Sequence, residues 1–282
     1  MRMRKTASAL GKSFFYFMVY AVVSFVVSIG AMSMIMSRLA REMNQQGQML
    51  DEMALAMRAA EEMEKQAAPV LVISGILTLL SCWIICTLRN KRLSEEVCLR
   101  RIDRKGVLPL LALGVVLNIA VSFFMEVLPL PQSWMESYAE STSVLSGGNI
   151  IMQWVSSILI APVMEEVIFR GFVYTRLKRG MPVWLAAILS AVLFGAMHGN
   201  LLWSAYTCLF GVLLVWCFER YGSLAASILL HMAFNTSGEA LFLIPALPAA
   251  VIWIAGILSF ILVAVLLLWI RKQTDFQKQE AL

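Results

Sequence analysis

The chain has 282 residues, 60% of them hydrophobic and 15% charged, with a formal net charge of +5. A water-soluble globule of this length needs far more polar surface, so the composition excludes the soluble classes and indicates one integral membrane domain. The Lys and Arg excess is accounted for by basic loops on one membrane face, not by nucleic-acid binding.

In chain order, Arg2, Arg4, Lys5 and Lys12 precede an apolar run from about Ser13 to Met36. That run is long enough to span, which predicts an uncleaved anchor rather than a signal peptide. Over 37–68, Leu50, Met53, Met57 and Ala60 recur at helical spacing among Glu, Gln and Arg, which predicts an amphipathic helix outside the bilayer. Further apolar stretches fall near 69–88, 106–128, 150–177, 183–200, 201–218, 223–243 and 250–270. Lipid offers no partner for an open backbone, so each is predicted to be a helix. Cys82, Cys86, Cys208 and Cys217 lie in these stretches and read as small packing residues, with Cys98 in a loop; no CxxC pair suggests a metal site.

The predicted fold class is an all-α polytopic bundle of about eight transmembrane helices. Its N-terminal membrane region covers 1–149, with three spans and the outer segment 37–68. A second region over 150–282 holds five spans and the motifs at 161–235. Basic residues cluster in the N-terminal arm, in 89–105, at Arg176-Lys178-Arg179, at Arg220, and at Arg271 and Lys272. Each cluster follows an even number of crossings, so all share the cytoplasmic face and both termini are predicted inside. The opposite loop, 129–149, carries Glu136 and Glu140 and no Lys or Arg.

A carboxylate within a membrane helix costs about 2.5–3.5 kcal/mol on insertion scales, so such groups face partners or water. Glu165 and Glu166 stand side by side in the fourth predicted span. Glu166 and Arg170, four apart, share a helical face and can neutralise each other, whereas Glu165 points about 100° away. The chain has only two histidines, and both lie in apolar helices. His198 closes Phe194-Gly195-Ala196-Met197-His198; His231 shares a face with Asn235 four residues on. Counted inward at 1.5 Å per residue, Glu165, His198 and His231 lie roughly 18–20, 20–22 and 15 Å deep, so they meet if their helices are neighbours.

Such a set suits activation of water by a carboxylate beside an imidazole, with a second imidazole and a carboxamide donating to the oxyanion. The alternative is an open three-ligand zinc site of Glu165, His198 and His231, although no HExxH is present. A purely structural buried ion pair is the plainer reading of Glu166 and Arg170.

Glu165-Glu166-x-x-x-Arg170, Phe194-x-x-x-His198 and His231-x-x-x-Asn235, in this order on successive helices, resemble the three motifs of the CPBP intramembrane protease family. That group includes CAAX prenyl endopeptidases and the bacterial Abi and bacteriocin-immunity proteins. The resemblance covers about 150–240. It implies an eight-helix intramembrane endopeptidase, with Glu165 as base working with His198, His231 and Asn235 at the oxyanion, and Glu166 and Arg170 holding the site together. It leaves zinc open. The implied partners are the lipid bilayer and a membrane-associated peptide or protein substrate, lipidated or not, in a bacterial plasma membrane. Peptide maturation or self-immunity fits a compact chain without an organelle-retrieval signal. A non-catalytic immunity or binding protein and a proton-coupled transporter are the competing classes, and the oligomeric state is left open.

Overall fold

The computed structural model describes residues 2–47, 51–143, 147–244 and 247–280 and is helical, with no strand among them. A helix, α1 (Arg2–Gln45), is followed by α2 (Glu52–Lys65), α3 (Ala67–Leu88), the single turn α4 (Leu93–Glu96), α5 (Arg104–Val127) and α6 (Gln132–Ser143). The second half contains α7 (Ile150–Leu177), α8 (Val183–Ala196), α9 (Leu201–Tyr221), α10 (Leu224–Phe242) and α11 (Ala249–Glu280).

All eight predicted spans are helical. Six of them, α1, α3, α5, α7, α9 and α11, are long and apolar enough to cross a membrane. The other two depart from that measure for different reasons. α8 has 14 residues and stops where Gly199 adopts the left-handed conformation at φ +72°, after which Asn200 caps α9 by accepting from the amides of Leu202 and Trp203. α10 is long enough, but it carries His231, Asn235, Thr236, Ser237 and Glu239. Its polarity arises because one side faces other polar groups rather than lipid.

Contacts sort the loops into two ends. At one end Thr6 donates to the Gly180 carbonyl (2.7 Å), Leu224 N donates to Cys98 O (3.0 Å), Lys178 pairs with Glu219 (2.5 Å) and Arg220 pairs with Asp275. All the basic clusters therefore lie on one face together with the ends of both terminal helices, the face that the charge rule predicts to be cytoplasmic. At the other end Asn200 donates to Ser137 (2.9 Å) and Arg38 pairs with Glu62 (2.9 Å).

The outer segment departs from the expected single amphipathic helix over 37–68. Residues 37–45 continue α1, and α2 folds back along it. Gly47 at φ +66° permits the reversal and Asp51 caps α2 through the Met53 amide (3.0 Å). Met43, Leu55 and Ala59 are buried in this hairpin; Met53 and Met57 are exposed, and Met49 and Leu50 lie outside the described residues. α6 is a helix in what the sequence presents only as an outer loop.

The core centres on α7, whose Ile168, Phe169, Phe172 and Val173 are buried against Tyr16 of α1, Cys82 of α3, Leu110 and Leu113 of α5, Phe194 of α8, Leu214 of α9 and Leu230 of α10. Small residues permit the closest approaches, as expected where lipid gives no hydrophobic incentive to pack. A Cβ at Gly114 of α5 would lie 2.6 Å from the Leu230 carbonyl of α10. Large apolar side chains such as Phe14, Phe25, Ile257 and Leu268 remain exposed on α1 and α11, the surface a bilayer covers. Cys82, Cys86 and Cys217 are buried free thiols, as packing residues should be.

Candidate active site

α7 is not a uniform α-helix. It runs π-helical over Val155–Ile160, α-helical over Ala161–Glu166, and π-helical again over Val167–Tyr174. Single wide turns of this kind inside helices concentrate at functional sites. The first has an identifiable cause. In this stretch the Ala161 amide bonds to Ser156 O, five residues back, so the donor due to the Ser157 carbonyl is that of Pro162, which has no N–H. The orphaned carbonyl is satisfied from another helix: Asn235 of α10 donates its Nδ2 to Ser157 O at 2.8 Å.

Past that junction Glu166 and Arg170 are both completely buried, with Arg170 Nη1 2.8 Å from Glu166 Oε1. Arg170 also donates through Nη2 to the Gly211 carbonyl of α9 (3.3 Å), and its guanidinium lies 4.3 Å from the centre of the Phe194 ring. Gly211 is needed there, because a Cβ would sit 3.2 Å from Nη2 and 3.0 Å from the Ala191 Cβ. A buried charge loses several kcal/mol of hydration, so three directed contacts are what allow the guanidinium to be there at all.

The same Glu166 Oε1 lies 2.9 Å from Nδ1 of His231. The carboxylate held by Arg170 is acceptor-only, so His231 donates through Nδ1 and turns Nε2 outward. That nitrogen lies 3.7 Å from Oε2 of Glu165. Phe210 packs edge-on to the His231 ring at 5.3 Å and Phe234 stacks on Phe210 at 4.4 Å, which fixes the imidazole plane. Glu165, unlike Glu166, retains 18% exposure.

His198 sits in the turn after α8. Its Nδ1 is 3.0 Å from the Phe194 carbonyl, which can only accept, so Nδ1 carries the proton and the neutral ring has its lone pair at Nε2. Both imidazoles make edge contacts with Phe194, at 5.1 Å for His198 and 5.9 Å for His231. Trp203 lies over His198 at 5.1 Å, and Tyr138 of α6 contacts Trp203 at 6.5 Å.

The structure thus joins Arg170, Glu166, His231 and Glu165 in one chain, ties Asn235 to the same helix, and sets His198 across the Phe194 ring. The imidazole in contact range of Glu165 is His231, where the sequence reading couples Glu165 to His198. Among the described residues no group of three His, Cys, Asp or Glu side chains converges closely enough to hold a metal ion. His198 and His231 each engage Nδ1, with the Phe194 carbonyl and with Glu166, which leaves both Nε2 atoms free of a protein hydrogen bond, the arrangement in which a histidine can ligate a metal through Nε2. The sequence reading missed Ser157, Trp203, Phe210 and Gly211, and only Ser157 carried a signal, the proline five residues on.

Residues 147–237 match the family model described as Rce1-like, type II CAAX prenyl endopeptidase Rce1-like. The chain is 31% identical over 119 residues to UPF0177 protein YbdI of Lactococcus lactis subsp. lactis (strain IL1403), covering 42% of this chain and 64% of that protein. It is 26% identical over 162 residues to an uncharacterized 24.3 kDa protein of Escherichia coli, covering 50% of this chain and 73% of the relative. No solved structure matches. Glu165, Glu166, Arg170, His198, His231 and Asn235 all fall inside the family match. The segment that carries the candidate site is thus similar to the type II CAAX prenyl endopeptidase Rce1-like family, in line with the CPBP group that the three motifs resemble.

Proposed function

We propose that the chain is an intramembrane endopeptidase that hydrolyses a peptide bond in a membrane-associated peptide or protein. The observation that carries this reading is the fixed chain Arg170–Glu166–His231, which ends in an imidazole nitrogen 3.7 Å from a partly accessible carboxylate, Glu165. That gap is longer than a hydrogen bond, so Glu165 is not tied to His231 directly and is free to accept from a water.

The proton inventory assigns the roles. His198, donating to Phe194, presents only an acceptor at Nε2, so it orients a water proton while Glu165 removes the other. The proton taken by Glu165 is within reach of His231 Nε2. The imidazolium so formed is held by Glu166 and then carries an N–H aimed at the reacting centre, for the oxyanion and afterwards the leaving amine. The Asn235 amide has a second N–H beyond the one given to Ser157, and this is the other oxyanion donor. Glu166 and Arg170 act as positioning residues.

Both relatives are bacterial proteins, which supports a bacterial plasma membrane as the location. The substrate class is a membrane-associated peptide, prenylated or not. The test is cleavage of quenched-fluorescent peptides, with and without a C-terminal prenyl group, by purified protein of measured metal content. Wild type should cleave, and Glu165→Ala, His198→Ala and His231→Ala should not. Equal turnover by a folded Glu165→Ala variant would overturn the reading.

A further inference from the structure

At the cytoplasmic end a cavity of about 550 Å³ lies between the start of α1 and the loop after α7, lined by Arg4, Lys5, Lys12, Arg176 and Arg179. Five cations from two chain segments some 170 residues apart converge there, and no carboxylate lines the cavity. The convergence is built: Thr6 donates to Gly180 O (2.7 Å), and a Cβ on Gly180 would lie 2.6 Å from the Ala9 Cβ, so α1 and the loop are in tight register. The floor is rigid as well. Arg176 is 4% exposed, donates to Thr175 Oγ1 (2.8 Å) and Glu96 O (3.0 Å), and lies 5.0 Å over the Phe172 ring. Glu96 pairs with Arg176 and is shared with Lys91 (2.6 Å), which lies outside the cavity lining. Arg4, Lys5, Lys12 and Arg179 make no ion pair among the described residues.

Like charges held this close repel unless an anion lies among them, and a cavity of this size fits within the range of about 300–1,000 Å³ typical of small-ligand sites. The level of the cavity identifies the source. Lys12 directly precedes the apolar run of α1 and Arg179 is the second residue past α7, so the cations stand at the headgroup layer of the inner leaflet. Beside them on α1, Leu10, Phe14 and Phe15 are exposed, an apolar wall for acyl chains. The geometry points to a binding site for a phosphate-bearing anion, supplied by the headgroup of an anionic phospholipid of the cytoplasmic leaflet. It lies apart from the candidate active site and stands whether or not the chain is a protease.

The test uses full-length protein in a phosphate-free detergent, titrated with dioleoyl-phosphatidylglycerol, dioleoyl-phosphatidylcholine or inorganic phosphate. The anionic lipid should bind at least about tenfold tighter than the neutral one. Replacing the exposed Arg4, Lys12 and Arg179 together by Gln should abolish the preference. Replacing Arg101, Arg104 and Lys105, exposed inner-face cations outside the cavity, should leave it intact. Thermal unfolding with the neutral lipid checks that both variants fold. Saturation by inorganic phosphate with no preference for the anionic lipid would keep the anion site and overturn its assignment to lipid. An unchanged preference in the first variant, or an equal loss in the second, would overturn the site itself.

Discussion

His231 and Arg170 share one oxygen: Oε1 of Glu166 lies 2.9 Å from the imidazole Nδ1 and 2.8 Å from the guanidinium. Glu166 is therefore the electrostatic keystone of three helices, and its charge matters more than its shape. Glu166→Gln keeps the volume but leaves a fully buried guanidinium unpaired. It should lower stability by about 3–5 kcal/mol, measured by unfolding in mixed detergent. Glu166→Gln combined with Arg170→Met should recover most of that loss without recovering cleavage. A single variant as stable as wild type would show that the pair does not govern folding.

The neighbouring carboxylate should behave in the opposite way. Glu165 is partly exposed, and the His231 imidazole is beyond hydrogen-bond distance at 3.7 Å. Glu165→Gln should leave stability within about 0.5 kcal/mol of wild type while turnover falls by at least about 100-fold. The informative measurement is the pair of variants side by side. If Glu165→Gln destabilises as much as Glu166→Gln, the division into a reacting and a positioning carboxylate is wrong.

How much of this was legible beforehand depended on whether the partners were local. The spacing of four put Glu166 against Arg170, and the same spacing put His231 and Asn235 on one face, because helix geometry alone decides both. All eight apolar helices were visible because the bilayer forces the backbone to close its own hydrogen bonds. The Glu166–His231 contact spans 65 residues and carries no periodic signal. The turn from α1 to α2 was obscured because the apolar spacing of 53–60 runs on from α1 in character, although Gly47 and Asp51 were there to mark a break. Pro162 was in plain view, but its consequence, a carbonyl left for Asn235, appears only once the π turns are known.

On the cytoplasmic side, pH should act through Glu96. Partial burial opposes its charge, but the Lys91 ammonium at 2.6 Å and the Arg176 guanidinium outweigh that and hold its carboxyl below the ordinary value of 4.5. A depressed folded value means stabilisation that is fully present above pH 4.5 and fades as pH falls through the folded value. Wild type should therefore exceed Glu96→Gln in thermal midpoint at pH 7, and the difference should shrink steadily below pH 4.5. A gap that is constant from pH 7 to pH 3 would mean that Glu96 contributes through packing instead.

The proline and the asparagine should be energetically coupled although they lie on different helices. Asn235 donates to Ser157 O because Pro162 supplies no N–H to that carbonyl. In wild type, Asn235→Ala leaves the carbonyl unsatisfied in the membrane interior and should cost about 1 kcal/mol, the scale of interhelical hydrogen bonds in bilayers. Pro162→Ala restores a backbone donor five residues from Ser157, so in that background Asn235→Ala should cost almost nothing. Cleavage should remain low in both Asn235→Ala proteins, since the second amide N–H is lost with the side chain. The double-mutant cycle decides the matter: equal costs in the two backgrounds would separate the widened turn of α7 from the third motif, and Asn235 would then owe its place to something other than the carbonyl Pro162 leaves open.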